Sequence, residues 1–130
     1  MSGLMLDTSA AIEMLRGQEP PREVKNIPFT IGTVVEMELW AGVYHRGGDA
    51  ERKKVEALLR LGTVVTFDRD AAHEAAKVLA ELEAEGLRIG DFDSQIAGHA
   101  RSLGFSLLTA NERHFRRVRG LQVVSWQVGA

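Results

Sequence analysis

Short apolar runs alternate with helical segments along almost the whole chain, and this alternation limits the folds open to it. The runs are LML, PFTIG, TVVTF, SLLT and, as a last edge strand, LQVVSW. Parallel strands need a crossover connection, usually a helix, so such alternation favours a parallel sheet with helices on both faces. We therefore expect an α/β, three-layer fold with a central, mostly parallel sheet of about four to five strands.

Capping residues and glycines indicate where the helices begin and end. The helix after the first strand is expected to be capped by Asp7, Thr8 or Ser9 and to stop at Gly17. The later helical segments are TVVEMELWAGVYHR, DAERKKVEALLRL, DRDAAHEAAKVLAELEAE and FDSQIAGHARSL. The side chains expected to face inward on the second and fourth of these are Val55, Leu58, Leu59 and Leu61, and Ile96, Ala97, Ala100 and Leu103.

Length and composition predict a single domain over residues 1–130, because a chain of 130 residues with 45% hydrophobic composition can bury one core. The absence of cysteine excludes disulfides, thiolate zinc sites and a cysteine nucleophile. The N-terminal MSGLMLDTSA lacks the basic and apolar regions of a signal peptide, and no apolar run is long enough to span a bilayer. We therefore expect a cytoplasmic protein without membrane contact.

Positive charge is concentrated near the C-terminus, although the net charge of the chain is only −2. The basic residues after position 100 are Arg101, Arg113, Arg116, Arg117 and Arg119, against Glu112 as the one acid. Such a surplus is typical of a solvated surface, and it also suits a polyanionic partner.

Three acids lie where a carboxylate is expected to face the protein. Asp7 ends the first strand, at the sheet edge where sites of parallel sheets gather. Glu38 has only small or apolar neighbours at helical spacing, and Asp93 shares the inward stripe of Ile96. The alternatives are a helix cap for Asp7, a buried salt bridge for Glu38, and a helix-dipole interaction for Asp93.

Three inward carboxylates would raise one another's pKa unless a cation neutralised them. Carboxylate oxygens without cysteine or clustered histidine suit Mg²⁺ or Mn²⁺, which keep water ligands and engage phosphate oxygens. If the acids converge, this pattern indicates metal-assisted phosphodiester hydrolysis, in which the metal activates water.

Four segments of the chain resemble a known family. The segments MLDTSAAIEML, VVEMELWAGV, IGDFDSQIAGHARSLGFSLLTANERHF and VRGLQVVSW look like the PIN-domain ribonucleases, in particular the VapC toxins of toxin–antitoxin pairs. The likeness covers nearly the whole chain in order, and it implies a PIN-like fold. It also implies a Mg²⁺- or Mn²⁺-dependent endoribonuclease whose catalytic metal ligands are Asp7, Glu38 and Asp93.

The resemblance extends to further polar residues. Thr8 and Ser9 match the hydroxyl residues beside the first acid, and Thr109 and Asn111 match a Thr-x-Asn strand end. Many family members carry a fourth acid at the position of Asn111 or a few residues beyond, where this chain has His114. Glu112 is the nearest carboxylate and is a candidate substitute. Asp91 is an additional acid, which we interpret as a helix cap in preference to a ligand.

The family's usual partners define the expected function. The resemblance implies a toxin that cuts structured RNA, often transfer RNA in the anticodon loop, leaving a 5′-phosphate and a 3′-hydroxyl. The motif around Asp93 looks closest to members that cut initiator transfer RNA.

The family also implies a VapB-like antitoxin and a homodimer. Arg113, Arg116 and Arg117 are expected to contact either RNA or the antitoxin. The missing fourth acid motivates an alternative, a PIN-like module that binds RNA or protein without cutting.

Two further patterns carry expectations. The histidines are scattered, and we interpret His99 as a half-buried or surface residue and His73 as solvated. Trp40 and Tyr44 lie four apart on one predicted helix, which favours core or dimer contacts over base stacking.

Overall fold

A five-stranded, all-parallel sheet forms the centre of the protein in a computed structural model that describes residues 3–127. The strands are β1 (Leu4–Leu6), β2 (Thr30–Gly32), β3 (Thr63–Val65), β4 (Ser106–Thr109) and β5 (Val123–Ser125). Their spatial order is β3-β2-β1-β4-β5. The predicted α/β architecture is therefore confirmed, and its sheet is wholly parallel.

Helices follow the strands, as the crossover rule requires. They are α1 (Thr8–Leu15), α2 (Thr33–Arg46), α3 (Asp49–Leu61), α4 (Arg69–Glu85), α5 (Asp91–Leu103) and the short α6 (Glu112–Phe115), with a 3₁₀ turn at Arg22–Val24. α4 ends at Gly86 and α5 at Gly104, both in the left-handed conformation that glycine adopts without strain.

The strands β1 and β4 lie inside the sheet, and every residue in them is buried. The edge strands β3 and β5 are only partly covered. Because the strands are parallel, the carboxyl ends of β1 and β4 lie side by side, and Leu6 pairs with Leu108. Asp7 and Thr109 follow from these two positions and meet at one edge of the sheet.

α5 is held against α4 by close packing and by ion pairs. A Cβ at Gly98 would lie 2.4 Å from the Cα of Ala75, so only glycine allows this approach. Arg101 on α5 donates to Glu74 and Glu81 on α4 over 2.6 and 2.9 Å. These contacts set the position of the helix that carries Asp93.

Three expectations about burial are wrong. Leu61 is 73% exposed, because it is the last residue of α3, and Leu103, the last residue of α5, is also exposed. His99 is buried, with 2% exposure, under Gly32 and edge-on to Phe67. Burial lowers the pKa of His99, although Asp68 and a hydrogen bond to the Thr66 backbone oppose this effect.

Tyr44 lies on the outer side of α2 and is 72% exposed, so it is not a core residue. Its ring stacks on Trp40 with centroids 6.2 Å apart, and the Arg52 guanidinium lies over both rings. The role of this pair in a dimer stays a prediction. His73 is solvent-exposed, as expected. In the described part of the chain, no helix combines the length and the apolar character needed to cross a membrane.

Candidate active site

Asp7 lies at the carboxyl end of β1, is 3% exposed, and accepts hydrogen bonds from three groups. The backbone N–H of Ala10 donates over 2.8 Å, which makes Asp7 the N-cap of α1. The Ser9 hydroxyl lies 2.7 and 2.9 Å from the two carboxylate oxygens, and the Thr109 hydroxyl donates over 2.5 Å. The residue is thus both the helix cap considered in the sequence and a buried polar centre.

The protons of both hydroxyls are directed to Asp7 by backbone donors of the loop after β4. The N–H of Ala110 donates to Ser9 Oγ over 2.9 Å, and the N–H of Asn111 donates to Thr109 Oγ1 over 2.8 Å. Since each hydroxyl has a single proton, these N–H groups leave that proton for the carboxylate. The sequence offers no signal for the two backbone donors, because any residue type can supply them.

Burial raises the pKa of Asp7, because the charged form loses hydration in the protein interior. The hydrogen bonds from Thr109, Ala10 and Ser9 oppose this rise, and the nearby charge of Asp93 adds to it. Asp7 and Asp93 therefore lie close enough to repel each other, and a cation would relieve this repulsion.

Glu38 faces α1 from α2 and accepts a hydrogen bond from the Thr8 hydroxyl over 2.6 Å. Among residues 3–127 no lysine or arginine pairs with its carboxylate, so the alternative of a buried salt bridge is not supported. The two hydroxyl residues after Asp7 thus bind different carboxylates. Ser9 holds Asp7, and Thr8 holds Glu38.

Asp93 is the third residue of α5 and is half-buried. Burial raises the pKa of its carboxyl, whereas the neighbouring His114 lowers it. Asp91 is the first residue of the same helix, and its side chain is 75% exposed and 3.8 Å from Arg88. The interpretation of Asp91 as the cap is wrong, because Gly90 is the N-cap and no side chain caps this helix.

The position of the usual fourth acid is taken by an amide and an imidazole. Asn111 Nδ2 lies 2.9 Å from His114 Nδ1, which in turn lies 3.5 Å from Asp93 Oδ2. Glu112, the candidate substitute, is paired with an arginine of its own segment. Its Oε2 accepts a hydrogen bond from Arg116 Nε over 2.8 Å and lies 2.6 Å from a second guanidinium nitrogen, and this pairing lowers the pKa of Glu112. The sequence analysis did not predict that His114 contacts Asp93. The only local signal was that His114 lies three residues after Asn111, a spacing at which two helical side chains can meet.

The three carboxylates offer hard oxygen ligands, the donor chemistry that Mg²⁺ and Mn²⁺ prefer, and none of them has a lysine or arginine partner among the described residues. Within the described ranges, no group of three or more His, Cys, Asp and Glu side chains is close enough to form a ready metal cage. Asp7 is buried and held by direct hydrogen bonds, whereas the Asp93 side chain is more exposed to solvent than that of Asp7. The ligand chemistry of the three carboxylates is that of a hard cation, whereas their spacing in this structure does not form a closed metal site among residues 3–127.

A groove of about 630 Å³ begins beside Thr8 and Glu38. It lies between α1, α2 and α3, and its lining includes Gly42, Arg46 and Lys54. A Cβ at Gly42 would meet no atom within 4 Å, so this glycine leaves open space next to Glu38. Glu38 is therefore accessible from the groove.

Comparison with known proteins agrees with this geometry. The family model described as the PIN domain matches residues 4–121. The chain is similar to the tRNA(fMet)-specific endonuclease VapC of Shigella flexneri, with 35% identity over 97% of this chain and 99% of the relative. It is also similar to Ribonuclease VapC1 of Rickettsia felis, with 30% identity over 95% of this chain and 96% of the relative.

A solved structure gives the same result for the fold. The DNA-bound VapBC structure from Salmonella typhimurium matches with a TM-score of 0.88 and 30% identity, covering 97% of this chain and 99% of that one. The family model and these relatives, each matched over nearly its full length, show that the chain belongs to the PIN-domain family, in its VapC branch.

Proposed function

We propose that this VapC-family chain is a metal-dependent endoribonuclease and the toxin of a toxin–antitoxin pair. The observation that carries the proposal is that the charges of Asp7 and Asp93 interact, while Glu38 is bound to Thr8, the residue next to Asp7, and none of the three has a lysine or arginine partner in the described chain. Anionic groups arranged in this way are costly to fold unless a cation neutralises them. The names of the relatives support a nuclease.

The three carboxylates would hold Mg²⁺ or Mn²⁺, which when bound supplies an activated water and stabilises charge on the phosphate. The chain's own hydroxyls orient the ligands. Ser9 and Thr109 keep Asp7 in place, and Thr8 keeps Glu38 directed towards α1. Attack of water on the phosphorus, with the 3′ oxygen as the leaving group, would leave a 5′-phosphate and a 3′-hydroxyl.

The substrate proposed first is initiator transfer RNA. The Shigella flexneri relative is named a tRNA(fMet)-specific endonuclease, and the similarity extends over almost all of both chains. Folded transfer RNA presents the unpaired anticodon loop, where bases and phosphates are accessible to a protein.

The proposed partner is a VapB-like antitoxin, because the Salmonella typhimurium structure is a VapBC complex. The groove beside Thr8 and Glu38 is the proposed place for an antitoxin segment, since an occupant there would also cover Glu38. We further propose that the toxin is a cytoplasmic homodimer.

The decisive experiment is cleavage of total transfer RNA by the purified full-length chain with Mg²⁺ or Mn²⁺, with mapped cut ends and an EDTA control. Asp93→Asn is compared with Asp91→Asn, and Glu38→Gln with Glu36→Gln. Each pair changes one proposed ligand and one acid two residues away on the same helix. We expect losses of at least about 100-fold for the ligand variants and near-wild-type cutting for the controls.

Equal loss in a ligand variant and its control would contradict the assignment of the ligands. Absence of cleavage under both metals, by folded protein freed of any co-purifying antitoxin, would support the alternative of a binding module. In that case Asn111 and His114, at the place of the fourth acid, would be the residues to change first.

A further inference from the structure

The arginines near the C-terminus are not equivalent, because most of them are already paired with protein groups. Arg101 pairs with two acids of α4, Arg116 pairs with Glu112, and Arg119 pairs with Glu85. An arginine whose charge is matched by a neighbouring carboxylate adds little attraction for a polyanion. These three are therefore mainly structural.

Two arginines keep their charge available. Arg117 donates only to the backbone oxygen of Arg88, over 3.2 Å, and has no carboxylate partner among residues 3–127. Arg113 is exposed and makes neither a hydrogen bond nor an ion pair with the described part of the chain. Arg113 lies in α6, and Arg117 lies in the turn that follows this short helix.

Both arginines lie beside the candidate active site. Arg113 is next in the chain to His114, which is in contact with Asp93. Arg117 binds the loop before α5, three residues ahead of the helix start at Asp91. Both arginines therefore belong to segments in contact with α5 or with the loop that leads into it, and α5 carries Asp93.

We propose that Arg113 and Arg117 bind the phosphates next to the cleaved bond, and that they are the RNA-binding cations of this C-terminal segment. The inference rests on the proposed function, because it takes RNA as the occupant of the site. RNA fits better than an acidic peptide, since a nuclease must bring phosphates up to its own carboxylates, and that approach needs local positive charge. The earlier grouping of Arg116 with these two is not supported, because Glu112 neutralises it.

The test measures RNA binding in the Asp7→Asn background with EDTA, by fluorescence anisotropy of a labelled single-stranded RNA and of initiator transfer RNA. We expect Arg113→Gln and Arg117→Gln each to weaken binding about three- to tenfold and to lower the salt slope by about 0.7. Arg113→Lys and Arg117→Lys retain the charge and should keep the slope.

Two controls change the same segment without removing an available charge. Arg119→Gln removes an equal but paired charge, and the double variant Glu112→Gln/Arg116→Gln removes a whole ion pair. Both should bind RNA within about twofold of the background protein. Equal weakening in Arg119→Gln and Arg113→Gln would overturn the proposal, and so would an unchanged salt slope in both glutamine variants.

A polyglutamate peptide, titrated against the same variants, distinguishes the other class of partner. If the two glutamine variants lose peptide binding and keep RNA binding, the surface serves an acidic protein segment and the proposal fails. Because cleavage is not needed for this assay, a protein that binds RNA through the two arginines but does not cut would contradict the proposed function alone.

Discussion

The hydroxyl of Thr109, at the end of β4, donates to a carboxylate oxygen of Asp7 over 2.5 Å and accepts the N–H of Asn111. One side chain thus joins the two central strands, the first candidate metal ligand and the loop after β4.

Replacement of Thr109 by valine keeps the shape and removes both hydrogen bonds. We expect the free energy of unfolding at neutral pH to fall by about 1–3 kcal/mol, because a buried carboxylate and a backbone N–H lose their partners. Urea unfolding measures the effect, and Thr109→Ser should restore most of it. A full effect at a pH where Asp7 is protonated would contradict the explanation, since the protonated acid needs the donor less.

The Thr8 hydroxyl affects Glu38 in a different way, because this contact lies at the groove and not in the core. We expect Thr8→Val to reduce RNA cleavage about tenfold through loss of orientation, with a stability change below about 1 kcal/mol. Thr8→Ser should retain cleavage. Parallel kinetics and urea unfolding separate the two effects, and a large loss of stability with intact cleavage would refute the assignment.

Asp93 should make stability depend on pH in a specific direction. Its pKa is raised by burial above 3.8, so the folded state keeps the proton to a higher pH than the unfolded chain does. Stability from this group is therefore present at low pH and is lost as pH rises through the folded pKa. The free energy of unfolding of Asp93→Asn minus that of wild type should grow over this interval, measured by urea unfolding in EDTA.

Mn²⁺ should reverse that difference at neutral pH. A cation bound only to the folded state stabilises it by about 1.4 kcal/mol at a tenfold excess over the dissociation constant. Wild type and Asp91→Asn should both gain stability, whereas Asp93→Asn and Asp7→Asn should gain little. Thermal unfolding with and without Mn²⁺ measures the gain, and equal gains in all four proteins would argue against the ligand set.

Two glycines should respond to alanine in opposite directions. Gly98→Ala forces a Cβ into the backbone of α4, so we expect a loss of about 1–3 kcal/mol and a displaced Asp93. Gly42→Ala meets open space within α2 and should stabilise the protein by about 0.5–1 kcal/mol. Urea unfolding of the two variants checks both signs, and destabilisation by Gly42→Ala would show that the groove is closed in solution.

The sequence was informative wherever local spacing determines the result. Asp7 ends a strand that its apolar residues define, and Asp93 shares the inward stripe of Ile96, so both could be placed without coordinates. Helix ends were also predictable, because glycine at positions such as Gly86 marks them.

Features that depend on distant partners could not be predicted in this way. His99 is buried because Gly32 and Phe67 happen to cover it, and neither is near it in the sequence. The arginines look alike in a composition count, but the ion pairs of Arg101 and Arg119 are made with acids of α4, such as Glu85. The capping role of Gly90 in place of Asp91 depends on the path of the preceding loop.

The bond between Asp7 and Thr109 has a consequence for the order in which the molecule is made. The two residues are separated by 102 positions, so the first candidate ligand gains its Thr109 donor only after β4 has been synthesised and has paired with β1. A growing chain, or a fragment cut before β4, contains Asp7 and Glu38 but lacks the neighbouring strand and the Thr109 hydroxyl that binds Asp7. The candidate active site is thus completed only late in synthesis, after most of the chain has left the ribosome.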